Sequence, residues 1–181
     1  MQKRVSACFL QSLKAQQTVL EKEGREEFVQ NLPADIRLQE TVKSADVARY
    51  QEMGWAAWCD ANRNLQEQKL IGAEDLQLGR SDAWNLPGCL EPNAVMSYYY
   101  GKKGEAADGK LPLYLYLHGS GPKDAEWQTG IKLGQSFQDA PSVYFIPQIP
   151  NEGEYYRWWH LSKQYAFEKL IRQGLVSGEV D

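Results

Sequence analysis

The sequence is poor in the residues from which many enzyme sites are built. It has 2 histidines and 3 cysteines in 181 residues, and no His, Cys or Asp cluster has the spacing of a metal site. It contains neither the G-x-S-x-G motif of a nucleophile elbow nor the G-x-x-x-x-G-K-[ST] motif of a phosphate-binding loop. We therefore expect no complete catalytic set, no metal site and no cofactor within these residues.

Two further absences restrict the class of protein. No run of about 20 apolar residues occurs, so we expect no helix that spans a membrane. The formal net charge is −4, which gives no electrostatic reason to expect a nucleic-acid partner. Apolar residues make up 43% of the chain, enough for one domain with a hydrophobic core, or for a small domain with a helical extension.

The first 16 residues have an unusual order of charge. Lys3 and Arg4 precede a mostly apolar stretch over residues 5–10, which is similar to a secretory signal peptide but shorter than the usual core of about 7 to 15 residues. An ordinary N-terminal helix explains the same pattern. Residues 1–16 are therefore either a signal segment of an exported protein, in which Cys59 and Cys89 could pair, or part of a cytoplasmic chain with free thiols.

The first half of the chain predicts helices. Residues 17–90 carry apolar residues at three- and four-residue spacing, as at Val47, Tyr50, Gly54, Trp55 and Trp58. We expect a helical N-terminal extension that ends at the stop signal of residues 84–88. Trp55 and Trp58 are expected to pack this extension against the sheet.

The second half alternates strands and helices. Strands are predicted over residues 94–100, 113–117 and 142–147, the last two buried and the first two paired as a hairpin or as neighbours. Helices are predicted over residues 125–137 and 160–175. Strands that alternate with helices are typical of the α/β class, with a parallel sheet and crossover helices.

The turn after the second predicted strand is the first candidate site. His118, Gly119, Ser120 and Gly121 leave several backbone N–H groups at a strand end, and the glycines permit positive φ and close approach of a ligand. Such N–H groups would stabilise an oxyanion; the alternative is a plain turn in which Ser120 caps the next helix. Ser120 is not predicted as a nucleophile, because His118 and Pro122 stand where an elbow requires small residues.

The loop after the third predicted strand is the second candidate site. Tyr156, Arg157, Trp158 and Trp159 follow a strand end, where open α/β sheets bind ligands. Arg157 is predicted to bind a substrate carboxylate, and the tryptophans to stack on a sugar or an aromatic group. In the alternative, the tryptophans pack under the next helix and Arg157 pairs with Glu154.

These segments together resemble a known family. Over residues 91–181, "LPLYLYLHGSGP", "SVYFIPQIPNEGEYYRWW" and "SKQYAFEKLIRQGLVSGEVD" look like the first half of an α/β-hydrolase domain of the bacterial esterase type. In that family the H-G-[GS]-G turn contributes backbone N–H groups to the oxyanion hole. The next strand leads to a substrate-facing loop, and a helix then precedes the strand that carries the nucleophile.

The resemblance implies a fragment of a serine hydrolase that cleaves an ester or a similar small molecule. His118 to Gly121 would form the oxyanion turn, and the serine, the acid and the histidine of the triad would lie beyond Asp181. Residues 17–90 would be an addition to the minimal fold. The alternative is a non-catalytic carbohydrate- or peptide-binding module that uses residues 151–160. The sequence does not predict an oligomeric state.

Overall fold

The computed structural model describes residues 2–22, 43–70, 74–75, 82–107, 109–138 and 140–180. The chain divides into two compact units, Met1–Glu67 and Gln68–Asp181. In the first unit, helix α1 (Gln2–Lys22) packs against helix α2 (Val47–Arg63), which follows a short 3₁₀ helix at Ser44–Asp46. None of the described helices is long and apolar enough to cross a membrane.

Contacts within the first unit join its two helices. The Ser6 hydroxyl in α1 donates a hydrogen bond to the Asp60 carboxylate in α2. Trp55 and Trp58 stack with 5.1 Å between ring centroids, and Trp55 is 51% exposed. The helix prediction is confirmed for α2; residues 23–42 of the predicted extension lie outside the described residues. Packing of Trp55 and Trp58 against the sheet stays a prediction, as does a signal segment at residues 1–16.

The second unit is built on a mixed sheet of five strands. They are β1 (Glu74–Asp75), β2 (Asp82–Asn85), β3 (Val95–Lys103), β4 (Leu113–Leu115) and β5 (Ser142–Pro147). The strand order is β1-β3-β5-β4. β2 also pairs with β3, at residues 95–98, whereas β1 pairs with β3 at residues 101–102. β3 is antiparallel to β2 and β5, whereas β4 is parallel to β5 and β1 is parallel to β3.

The α/β class is confirmed, and several details of the prediction are wrong. Asp82–Asn85 is a strand inside the region predicted as helical, because Trp84 is fully buried beside β3 and this packing overrides the local spacing. β3 and β4 are not neighbours, since β5 lies between them. The sheet is mixed rather than parallel, because β3 and β4 are joined without a crossover helix.

Helices cover both faces of the sheet. Helix α3 (Lys123–Ser136) is the crossover between β4 and β5, and helix α4 (Leu161–Ser177) follows the loop after β5. Alternate residues of β5 face the two helices: Val143 and Phe145 pack in the core with α4, and Tyr144 and Ile146 pack in the core with α3. All six residues of β5 are therefore buried, as expected for a strand covered on both faces.

Strand β4 lies at the edge of the sheet, although it was expected to be buried. Tyr114 is 45% exposed and Leu115 is 37% exposed, because among the described strands only β5 pairs with β4. Just before β4, Leu111 forms a parallel bridge with Val180, and its N–H donates to the Glu179 carbonyl at 2.9 Å. The chain after α4 thus returns to the side of β4.

Candidate functional site

Both segments predicted from the sequence line the same part of the second unit. The glycine turn (His118 to Gly121) follows β4, and the cleft loop (residues 151–160) follows β5. Because β4 and β5 are parallel neighbours, their carboxyl ends lie at one edge of the sheet. An open cleft of about 440 Å³ there is lined by residues of the turn and the loop, together with Ile149. A second cleft of about 390 Å³ shares Ser120, Tyr156 and Arg157 with the first and adds Gly121 and Glu152.

The His118 side chain is a support of the turn rather than a base open to the cleft. It is 3% exposed, and both ring nitrogens contact backbone. The Ile149 N–H donates to Nε2 at 3.1 Å, and Nδ1 lies 2.8 Å from the Gly119 carbonyl oxygen. A neutral ring with its hydrogen on Nδ1 satisfies both contacts. Burial lowers the pKa of His118 below its ordinary value of 6.5, and the Gly119 and Glu126 oxygens offset part of this.

This buried neutral ring predicts a pH-dependent stability. Because the pKa is lower in the folded than in the unfolded chain, the contribution of His118 is complete above about pH 6.5 and is lost as the pH falls through the folded pKa. Urea unfolding between pH 7 and 5 should show a falling free energy of unfolding, with a limiting slope of about 1.4 kcal/mol per pH unit for one proton. His118→Gln should flatten that part of the curve; an equally steep curve in this variant would contradict the assignment.

Two side chains of the cleft loop bind the carbonyl groups of the turn. The Trp158 indole N–H donates to the His118 carbonyl at 2.9 Å. The Tyr156 hydroxyl contacts the carbonyl oxygens of Gly119, at 3.1 Å, and Gly121. Burial raises the pKa of Tyr156, and the Glu126 and Glu152 carboxylates raise it further, so the phenol remains a donor at neutral pH.

These bonds also orient the N–H groups of the turn. In a trans peptide the C=O and the following N–H point in opposite directions, so fixing the carbonyls of His118 and Gly119 fixes the N–H groups of Gly119 and Ser120. Within the described part of the chain, the N–H groups of Gly119, Ser120 and Gly121 form no hydrogen bond. The turn therefore has backbone donors without a hydrogen-bond partner among the described residues.

The positive φ predicted for the turn glycines is wrong, whereas close approach of a ligand there stays a prediction. Neither Gly119 nor Gly121 has a positive φ. Instead, the carboxylate of Glu126, on α3, occupies the space that a side chain would need: a Cβ on Gly119 would lie 2.9 Å from Glu126 Oε2, and one on Gly121 would be 3.1 Å from its Cδ and closer still to Oε1. Ser120 does not cap α3, whose N-cap is Pro122 without a side-chain bond.

A double-mutant cycle tests this packing. Gly121→Ala should lower the free energy of unfolding by about 0.5–1 kcal/mol, because the new methyl group displaces only the end of the flexible Glu126 side chain. In a Glu126→Ala background the same change should have almost no cost, since the obstructing carboxylate is gone. Equal costs in the two backgrounds, measured by urea unfolding, would show that Glu126 does not require the glycine.

Of the predicted ligand contacts, Arg157 and Trp159 are exposed at the cleft. Trp159 is 71% exposed, and the Arg157 guanidinium lies 5.8 Å from its ring centroid. The alternative pairing of Arg157 with Glu154 is not formed; within the described residues no carboxylate lies within 4.0 Å of Arg157. Trp158, in contrast, packs toward α4, with 6.0 Å between its ring centroid and that of Phe167.

A buried polar network beneath the cleft loop was missed by the sequence reasoning. Glu91 and Lys163 form an ion pair in which both side chains are 0% exposed. The Ser162 hydroxyl and the Asn151 side-chain amide also donate to the Glu91 carboxylate. One signal could have indicated it: Lys163 lies three residues before Ala166, on the apolar face of α4.

The cysteines and the potential metal ligands do not form a further candidate site among the described residues. Within the described part of the chain, Cys8, Cys59 and Cys89 form no disulfide, and Cys59 is buried. Across the ranges the structure describes, no group of three His, Cys, Asp or Glu side chains is arranged to hold a metal ion. No protein-family model matches the chain, and comparison with curated proteins and with solved structures finds no match either.

Proposed function

We propose that this chain carries the oxyanion-binding turn of a serine hydrolase that cleaves an ester or a related acyl bond of a small molecule. The observation that carries the proposal is the set of backbone N–H groups at Gly119, Ser120 and Gly121, which form no hydrogen bond among the described residues. Those of Gly119 and Ser120 are oriented through the preceding carbonyls, which Trp158, Tyr156 and the His118 ring contact. Preorganised donors of this kind each lower a barrier to an oxyanion by about 3 kcal/mol.

The serine is proposed to lie on a strand that follows α4. The parallel bridge between Leu111 and Val180 supports this position. A strand that continued from Val180 would run parallel to β4, and its carboxyl end would reach the edge at which the glycine turn lies. The α/β-hydrolase resemblance assigns the nucleophile to that strand.

Binding of a tetrahedral oxyanion by the 181-residue chain tests the turn directly. Benzylphosphonate is the probe, and benzyl alcohol, which shares its benzyl group, is the neutral control. In ¹⁵N-labelled protein, benzylphosphonate should shift the amide resonances of Gly119, Ser120 and Gly121, and benzyl alcohol should not. Shifts confined to Arg157 and Trp159 would contradict an oxyanion turn.

Hydrolysis and coding sequence test the location of the serine. The 181-residue chain should hydrolyse a short-chain chromogenic ester no faster than the uncatalysed background. Saturable turnover that a serine-directed inhibitor abolishes would place the nucleophile inside the chain and contradict the proposal. In the source DNA, the codons after Asp181 should encode an apolar strand and then G-x-S-x-G; a stop codon there would remove the serine from this polypeptide.

A second candidate function is ligand binding without catalysis, favoured by the exposure of Trp159. A ring 71% exposed at a cleft can stack on a sugar or an aromatic side chain, and Arg157 beside it can bind a carboxylate. This function predicts carbohydrate or peptide binding that Trp159→Ala abolishes and that leaves the amide resonances of the glycine turn unchanged.

A further inference from the structure

We propose that the buried pair of Glu91 and Lys163 is a positioning element, which fixes the cleft loop and, through it, the glycine turn. The importance of this pair for catalysis rests on the function proposed above. Its effect on the position of the loop and the turn does not depend on that function. Neither residue lines either cleft, so neither is offered as a group that touches substrate.

The Glu91 carboxylate joins the two ends of the cleft loop. At the start of the loop, the Asn151 side-chain amide donates to Glu91 Oε1 at 2.9 Å and to the Pro92 carbonyl at 3.2 Å. Just after the end of the loop, the Lys163 ammonium and the Ser162 hydroxyl both donate to Oε2. A single side chain before β3 thus holds both ends of a segment that follows β5.

Lys163 also holds the middle of the loop. Its ammonium donates to the Tyr155 carbonyl at 2.8 Å and lies 5.9 Å from the Tyr155 ring centroid. The next residue, Tyr156, binds the carbonyl groups of the turn, and Trp158 binds that of His118. A continuous chain of contacts therefore runs from the buried carboxylate through the loop to the oriented N–H groups.

Energetics favour a positioning role over a stabilising one. Both charged side chains are fully buried, and the desolvation of such a pair offsets most of its attraction. Two apolar side chains of similar volume would fill the same space at little cost in stability, but they would bind neither Asn151 nor the Tyr155 carbonyl. The ion pair therefore differs from an apolar pair mainly in that it binds the cleft loop.

The double variant Glu91→Met/Lys163→Met separates the two roles. We expect it to fold with a melting temperature close to that of the parent. Hydrogen exchange of the Trp158 indole N–H, assigned with Trp158→Phe, should become at least about tenfold faster, as for the loss of one well-placed hydrogen bond. Glu168→Gln, which removes only the α4 pair with Arg172 in which Glu168 is 60% exposed, should leave that exchange unchanged.

The outcomes are separable. Parental indole exchange in a folded double variant would overturn the positioning role, because a purely structural pair would not affect this proton. If the double variant does not fold, Asn151→Ala replaces it: it keeps the ion pair and detaches only the start of the loop, and unchanged exchange would equally overturn the inference. Benzylphosphonate affinity should fall in parallel by about tenfold. If the parent itself does not bind this probe, the proposed function fails, and the indole exchange still decides the positioning role.

Discussion

Replacing Glu91 alone by leucine is expected to lower the free energy of unfolding by about 3–5 kcal/mol. The change leaves the Lys163 ammonium fully buried without its counter-charge. Burial already lowers the pKa of Lys163 against the opposing effect of Glu91, so the variant should hold this lysine with a lower pKa still. A lowered lysine pKa makes the folded state more favourable as the pH rises; the loss should therefore be smaller at pH 9 than at pH 7.

Urea unfolding of the single variants provides the measurement, with Glu168→Gln as the control for a partly exposed ion pair. That change removes the charge of Glu168, which is 60% exposed, beside Arg172, which is 7% exposed. Because glutamine can still accept the Arg172 hydrogen bond, the free energy of unfolding should change by no more than about 1 kcal/mol. A loss below about 1 kcal/mol for Glu91→Leu, or a loss that does not depend on pH, would mean that Lys163 finds another partner or reaches solvent.

Replacement by alanine should lower the stability of the protein strongly at Trp158 and hardly at all at Trp159. Trp158→Ala removes the indole bond to His118 and the packing toward Phe167, and should cost about 2–4 kcal/mol of unfolding free energy. Trp159→Ala removes a side chain that is 71% exposed and should change stability by no more than about 0.5 kcal/mol.

Binding should separate the two tryptophans as well. Trp158→Phe, which retains a ring but not the N–H donor, should reduce benzylphosphonate shifts at the glycine turn while retaining most of the stability. Trp159→Ala should leave the turn resonances in their parental positions without ligand. Disturbed turn resonances in Trp159→Ala, or undisturbed ones in Trp158→Ala, would contradict the assignment of Trp158 as the support.

The fold could be predicted where a local pattern and the tertiary environment agree. The strand Ser142–Pro147 was predicted at its observed bounds, because the four consecutive strand-forming residues from Val143 to Ile146 fit a position covered on both faces. The strand Asp82–Asn85 was not predicted, since its one large apolar residue, Trp84, is explained only by its neighbours Tyr98 and Phe145. The strand order could not be predicted either, because nothing in residues 94–117 indicates that β5 lies between β3 and β4.

The candidate site could be predicted as a location but not as a set of roles. Parallel strands bring His118 and Tyr156 to one edge of a sheet, and that rule needs only the sequence. The hydrogen bonds between the turn and the segment after β5 join residues 31 to 40 positions apart, and no local spacing predicts such contacts. Glu91 was missed for the same reason, since its partner Lys163 is 72 positions away.

The contacts of the glycine turn also impose an order on its formation during synthesis. The turn leaves the ribosome before each of its supports: Ile149, Tyr156 and Trp158 are made later, and so is β5, the strand that pairs with β4. Chains emerge from the ribosome at about 5–20 residues per second. The geometry of the glycine turn is consequently a late product of translation, and until residue 158 has emerged the nascent chain presents β4 and its turn without most of the contacts that shape them.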